Sequence, residues 1–406
     1  MRVPASKSVA NRELILSALA DGRSVLDLGP FDPGADVRAM REAIGALGYR
    51  LEWDGRQITI EGAGGAPPAV AASIDAAEAG TVARFLTALA AVGRGSVTID
   101  GSERLRLRPL APLLAALRTL GAIVEGDALP ITVRGPLGGG SVEISGAESS
   151  QFASALLLVG AGMPQGLHLR ISGTLVSAPF VSLTVHALRD RGVEVEHPGP
   201  GEFKIRHQRV RARRIAIPGD ATAATYPAAA AAILGGSVTI DNVDASRADG
   251  GQGDVRFFDL LEEMGCRVDR RGGRVTVSRA GSLRGIVANV RDCSDVFPTL
   301  AAMAACADSP TELAGIAHTR KQESDRIAAV ASALRAVGAG ATEFADTIRI
   351  DPAPLHGGVV DAAGDHRIAM AFSILGLQVP GIAIEGSESV AKTFPGFYDM
   401  VRELAG

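Results

Sequence analysis

Nine basic side chains recur beside short polar clusters on a chain whose formal net charge is −4. They are Lys7, Arg12, Arg84, Arg108, Arg320, Lys321, Arg326, Arg367 and Lys392. Cations gathered on an acidic protein need a counter-charge. Arginine forks clamp carboxylate or phosphate through paired hydrogen bonds, whereas lysine acts as a compact point charge. Acids stand among them. Glu323 lies three residues before Arg326 near a helix start, a spacing that puts both on one face. Asp295 is expected on the N-terminus of a buried helix with few neighbours to neutralise it. A ligand carrying phosphate and carboxylate groups, with acid and base chemistry on a neighbouring hydroxyl, would use this set.

The elements that position these residues repeat. Ser6-Lys7-Ser8, Ala79-Gly80-Thr81, Ser149-Ser150-Gln151, Gly219-Asp220-Ala221, Ser294-Asp295 and Asp365-His366-Arg367 each read as a helix start. Counted from Lys7, Gly80, Ser150, Asp220, Asp295 and His366, the steps are 73, 70, 70, 75 and 71 residues. An internal period of this kind dictates architecture, and a helix N-terminus offers free N–H groups and a positive dipole end to anions. A second motif keeps the beat: Leu47-Gly48, Leu120-Gly121, Arg191-Gly192, Met264-Gly265 and Val337-Gly338 each close a helix before a strand. Alternating strands follow, as at 57–61 and 274–278, and Gly-bounded strands stand at 95–99 and 236–240. The helices that begin on the polar clusters are apolar nearly all round and should be buried. Those that end at the glycine turns (110–120, 327–337) are amphipathic and should be outer.

The expected fold is therefore α+β built from α/β repeats, with three units per domain and sheets around buried helices. A domain break is expected near Ile217-Pro218-Gly219-Asp220. The sixth unit reaches its last helix, 397–404, without closing strands. Residues ahead of Met1 in a longer chain could supply them by crossing back.

The bulk composition narrows the function. At 406 residues and 47% hydrophobic content the chain can hold two real cores. No apolar stretch approaches a membrane span, and a targeting peptide is not expected ahead of the first cluster. Cys266, Cys293 and Cys306 are odd in number and lack ligand spacing, so a reduced, cytoplasmic protein without a metal site is expected. The acidic balance argues against nucleic acid. Taken singly, most of the marked residues read as structure. Asp220 reads as a helix cap, Gly80 as a packing glycine, and Glu323 with Arg326 as an exposed pair, while His186 and His356 read as ordinary histidines.

Taken jointly they form a recognisable series. Pro4-Ala5-Ser6-Lys7-Ser8 with Asn11-Arg12 resembles the first signature of the 5-enolpyruvylshikimate-3-phosphate synthase family of enolpyruvyl transferases. In order follow Ala79 to Arg84, Arg108-Pro109, Ser149 to Phe152, Gln252-Gly253-Asp254, Glu323 to Arg326, Gly364 to Met370, and Ala391 to Pro395. The resemblance spans essentially the whole chain. It implies an inside-out α/β barrel of six βαβαββ units, three in each of two domains that close over the ligands. The opening residues join the second domain, giving 7–219 against 1–6 with 220–406.

The resemblance also implies a reaction and its residues. The enolpyruvyl group of phosphoenolpyruvate would pass to the 5-hydroxyl of shikimate 3-phosphate through a tetrahedral adduct, without metal or organic cofactor and in a monomer. Lys7, Gly80, Arg108, Gln151 and Lys392 would face phosphoenolpyruvate, with Arg326 and Arg367 on its carboxylate. Lys7, Ser8, Arg12, Ser149, Ser150, Gln151, Ser177, Asp295 and Gln322 would hold shikimate 3-phosphate. Asp295 would take the hydroxyl proton, and Glu323 or Lys7 would protonate the methylene carbon. Gly80, lacking a Cβ, would leave room for glyphosate to compete.

Three positions depart from the family. Phe180 stands where a tyrosine is frequent, Gln322 replaces a lysine immediately before the glutamate, and His318 lies near a usual asparagine. Lys321 is one place away, a turn of about 100 degrees on a helix. These departures leave open a different cyclic alcohol as acceptor, or a non-catalytic binding protein on the same scaffold. The relative acting on UDP-N-acetylglucosamine is disfavoured. It has Asn where this chain has Ser8, a loop cysteine in the first domain, and Asp-Leu-Arg where Asp365-His366-Arg367 stands.

Overall fold

The structure is a computed structural model and describes residues 1–245 and 251–405. A helix that is apolar on every side is stable only when other chain covers all of it. Six segments meet that condition: α1 (Lys7–Leu19), α2 (Gly80–Val92), α3 (Ser150–Gly160), α4 (Ala221–Leu234), α5 (Phe297–Ala304) and α6 (His366–Leu375). Every residue of α5 is buried, as is α4 from Ala221 to Ile233. The chain divides into two compact units, Ala5–Ile217 and Met1–Pro4 with Pro218–Gly406. Both crossings fall two residues before the expected ones, each at a proline: after Pro4 and before Pro218.

In the unit Ala5–Ile217, hereafter the first, α1, α2 and α3 form the interior and three sheets lie outside them. Ala71–Asp75 and Ser96–Asp100 run parallel, as the crossover through α2 requires, and Ile131–Arg134 and Ile123–Glu125 add antiparallel. Gly140–Ser145 and Leu167–Ser172 repeat the parallel pair across α3, with Glu202–Ile205 antiparallel beside it. Asp21–Asp27 has no preceding strand in its own repeat. Arg214–Ala216, from the far end of the unit, takes that place in parallel register. The ring is thus closed by its own last strand.

The second unit repeats the scheme. Beside Ser237–Ile240 the place of the missing strand is taken by the chain's first residues. The Met1 amino group donates to the Thr239 carbonyl at 2.7 Å, and Asp241 N donates back to the Met1 carbonyl at 3.0 Å. Val287–Asn289 pairs parallel with Thr311–Ala314, and Val359–Asp361 with Ala383–Glu385. The sixth repeat's sheet holds those two strands among the described residues.

Glycine makes the helix-to-strand turns possible. Gly48, Gly121, Gly192, Gly265 and Gly338 all sit at φ between +79° and +103°, where a Cβ would be strained. The C-terminal ends of the inner helices are sealed by backbone. In the first unit the amides of Gly64, Leu137 and Gln208 donate to the carbonyls of Ala20, Ala91 and Ala161 at 2.9, 2.9 and 3.1 Å. One expected helix start is displaced. Ser294 and Asp295 lie in a 3-10 stretch, Arg291–Val296, and the α-helix begins only at Phe297. No helix among the described residues is long and apolar enough to cross a membrane.

One ion pair fastens α1 to this frame. Arg191, fully buried, donates to Glu13 at 2.7 and 2.9 Å, to Ser17 at 2.7 Å and to the Arg211 carbonyl at 3.1 Å. Glu13→Gln would leave a buried guanidinium without its carboxylate. It is expected to cost about 3 kcal/mol or more of stability, read as a lower urea midpoint at unchanged m-value. A midpoint within error of the wild type would show that the pair does not hold α1.

Candidate active site

The start of each inner helix carries the chemistry of its unit. In the first unit, residues near the beginnings of α1, α2 and α3 bond to one another, so the three helices begin at the same end. Arg84 on α2 donates to Gln151 on α3 at 2.7 Å, and Arg12 on α1 lies 3.3 Å from Ser154 on α3. Ser6 and Ser149 cap α1 and α3 through their hydroxyls, while α2 has no side-chain cap. Its first amides therefore face a neighbourhood of guanidiniums. A Cβ placed on Gly80 would meet Arg84 Nη1 at 2.7 Å and Arg108 Nη1 at 3.0 Å.

Arg12 is the most exacting residue here. Its guanidinium is buried and donates to the Thr184 hydroxyl at 2.8 Å, the Ser8 carbonyl at 2.7 Å and the Phe180 carbonyl at 3.0 Å. The rings of Phe85 and Phe180 lie 5.3 and 5.7 Å from it. Among the described residues no carboxylate lies within ion-pair distance of it. Burial alone pushes its pKa down to about 9, which leaves it charged at neutral pH. Its charge is therefore held only by hydroxyl and carbonyl oxygens. Lys7, by contrast, is paired at 2.9 Å with Asp36, itself buried at the start of the outer helix Ala35–Ala46. Ser177 is buried at φ +52°, a left-handed conformation unusual for a residue with a side chain.

In the second unit the cations are already matched. Arg326 is fully buried and donates to Asp365 at 2.7 Å, Asp295 at 2.9 Å and Glu323 at 2.8 Å, and also to the Gln322 side-chain oxygen. Burial opposes its charge, but Asp365, Glu323 and Asp295 together hold its pKa above the ordinary arginine value. Arg367 donates to the other oxygen of Asp295 at 2.6 Å. Lys392 lies 3.6 Å from Glu323. Three cations thus meet three carboxylates. Asp365 also accepts from Arg367 N at 2.9 Å and so caps α6.

Several sequence expectations need correction. Asp295 is not short of neutralising partners, because each of its oxygens accepts from a guanidinium. Glu323 pairs with Arg326 as expected, but from the segment ahead of the helix Arg326–Ala336 rather than from its face, and the pair is not exposed. Arg320 serves structure: it pairs with Asp325 at 2.8 Å and donates to the Phe344 carbonyl at 2.7 Å. Lys321 is exposed. Asp220 caps α4 by accepting from Ala223 N at 3.0 Å. His318 bonds Ser294 at 2.9 Å, and burial lowers its pKa. Asp36 was not singled out by the sequence, since nothing local ties it to a lysine 29 residues away. Asp365 stood in a marked cluster, but its bond to Arg326 spans 39 residues.

Buried cations gathered near helix starts suit small polyanions as ligands. The chain matches the family of EPSP synthase (3-phosphoshikimate 1-carboxyvinyltransferase) over residues 1–401, and it belongs to that family. It is 39% identical over 402 residues to the 3-phosphoshikimate 1-carboxyvinyltransferase of Methanoculleus marisnigri, covering 98% of this chain and 94% of the relative. An EPSP synthase structure from Acinetobacter baumannii superposes with a TM-score of 0.80 at 27% identity, over 100% of this chain and 95% of the other. The enolpyruvyl transferase NikO from Streptomyces tendae shares the fold, at a TM-score of 0.77 and 20% identity, covering 100% of this chain and 94% of that one.

The unmatched charge of Arg12 yields a signed prediction. Arg12→Met should leave the melting temperature without anions unchanged or higher, because an uncompensated buried charge is removed. The wild type is expected to melt higher in millimolar inorganic phosphate, and Arg12→Met should lose that rise. A variant that melts earlier yet keeps the phosphate-dependent rise would show that Arg12 supports the fold and not an anion.

Proposed function

We propose that the chain transfers the enolpyruvyl group of phosphoenolpyruvate to the 5-hydroxyl of shikimate 3-phosphate, releasing phosphate in the shikimate pathway of aromatic amino-acid biosynthesis. The observation that carries this reading is Asp295 held on both oxygens by Arg326 and Arg367. Those two arginines are the pair expected to bind the carboxylate of phosphoenolpyruvate. When that carboxylate arrives it shares the guanidiniums, the positive charge around Asp295 is diluted, and the proton affinity of Asp295 rises. Substrate binding thereby arms the base.

The division of labour follows. Gly80, Arg108, Gln151, Lys7 and Lys392 take phosphoenolpyruvate with Arg326 and Arg367. Ser8, Arg12, Ser149, Ser150, Gln151, Ser177 and Gln322 hold the acceptor with Lys7 and Asp295. Asp295 removes the 5-hydroxyl proton as that oxygen attacks C2 of phosphoenolpyruvate, and Glu323 or Lys7 protonates C3. The tetrahedral adduct then loses a methyl proton and inorganic phosphate, leaving the enol ether. Charge developing on the adduct meets groups fixed beforehand, which is how such sites stabilise transition states.

The test is phosphate release from phosphoenolpyruvate with shikimate 3-phosphate as acceptor, with the product mass confirmed. Release that needs both substrates is expected; release with another cyclic alcohol only would overturn the acceptor. Asp295→Asn should lower kcat at least a hundredfold with a modest change in the KM for phosphoenolpyruvate. A loss confined to KM would remove Asp295 from the proton transfer. Gly80→Ala should push its methyl against the Arg84 and Arg108 guanidiniums, raise the KM for phosphoenolpyruvate and weaken glyphosate competition further. No loss of either ligand would place Gly80 outside the site.

A further inference from the structure

Gln252-Gly253-Asp254 belongs to the series of marked motifs, yet nothing in the reaction above uses it. Its geometry is specific. Gln252 accepts from Ala221 N at 3.0 Å and donates to the Gly219 carbonyl at 2.7 Å, which fixes the turn against the start of α4. Asp254 follows on a 3-10 turn and is buried, with one carboxylate oxygen accepting from the Thr222 hydroxyl. Its other oxygen, Oδ1, is buried without a hydrogen-bond partner, and so is Nε of Arg367. Orphaned buried polar atoms are uncommon and call for an explanation.

The two orphans belong to groups that attract each other. Arg367 lies in the field of Asp295, Tyr226, Asp254 and Asp220, and Asp254 in that of Asp295, Arg367 and Asp220. The buried Cys293 thiol is also within reach of the Asp254 charge. With Thr222, these groups stand near Asp254 on α4, α6 and the 3-10 stretch before α5, while Arg256, Asp259 and Asp292 act on the same Cys293 thiol. Asp295 accepts from Arg367 Nη2 and its side chain is partly exposed, whereas Asp254 is buried.

We propose that Asp254 is a positioning residue for Arg367: the deeper Asp254 and the shallower Asp295 compete for its one guanidinium, so the charge on Asp254 sets how much of Arg367 is left for a substrate carboxylate. With Asp254 neutral, Arg367 stands forward on Asp295. With Asp254 ionised, Arg367 is drawn inward. Burial first, then the neighbouring Asp295, pushes the Asp254 pKa up to about 7, against the opposing pull of Arg367 and the Thr222 hydroxyl. The carboxyl is therefore neutral below about pH 7 and charged above it, so the forward position of Arg367 weakens as pH rises through neutrality.

The inference rests on the proposed reaction, and the test separates the two. The KM for phosphoenolpyruvate is measured from pH 6 to 8.5 in the wild type, Asp254→Asn and Thr222→Val, following phosphate release. The substrate's own phosphate titrates alike in all three, so ratios between proteins report the enzyme. The wild-type KM should match that of Asp254→Asn near pH 6 and exceed it several-fold by pH 8.5. Thr222→Val loses a donor to the ionised carboxylate, so its inflection should move to higher pH. Parallel pH profiles in all three proteins would overturn the role of Asp254. Absence of phosphate release at every pH would overturn the reaction instead. Should Asp254→Asn fail to fold, the shift in Thr222→Val decides alone.

Discussion

Helices covered on every side leave only their ends for polar chemistry, and the whole site depends on that constraint. α1 to α6 are covered along their lengths, so polar groups either find partners inside, as Glu13, Ser17 and Arg84 do, or collect in the first turn or just before it. The two ends are treated differently. At the C-terminal ends of the first unit, main-chain amides from Gly64, Leu137 and Gln208 consume the last carbonyls. At the N-terminal ends, short side chains such as Ser6, Ser149, Asp220 and Asp365 take one amide each and leave others open.

The two units use that open end with opposite electrostatics. In the second, Arg326, Arg367 and Lys392 are matched by Asp295, Glu323 and Asp365, so the cations are held in place before any substrate arrives. In the first, Arg12 is held by hydroxyls and carbonyls, which orient a guanidinium without cancelling its charge. A matched set suits exchange, in which a substrate carboxylate takes over donors from Asp295 and turns it into a better base. An unmatched cation suits capture, because an incoming anion repays a desolvation cost already met in folding.

Much of the fold was legible because its signals are periodic and local. The five glycine closures and five of the six inner-helix starts fall on or within one residue of the sequence reading, since left-handed turns and Ser or Asp caps are properties of a few adjacent residues. Asp295 was misplaced because the chain makes a 3-10 stretch with Cys293 at φ −135°, a kink that no short motif announces. The parallel strand Arg214–Ala216 and the partnership of Met1 with Thr239 were not specified, because they join segments about 190 and 238 residues apart. The same limit hid Asp36. Spacing shows which residues are available for chemistry, and only the closed fold shows which of them neutralise one another.

The departures from the family pattern also become less disruptive once their surroundings are known. Phe180 lacks a hydroxyl, yet its carbonyl accepts from Arg12, Thr184 and Ser154, and its ring lies against the Arg12 guanidinium. Its backbone and ring face hold Arg12, and neither requires a phenol. Gln322 donates no charge, but its side-chain oxygen accepts from Arg326. A lysine ammonium turned the same way would face the guanidinium and repel it, so the amide is the compatible residue in this conformation.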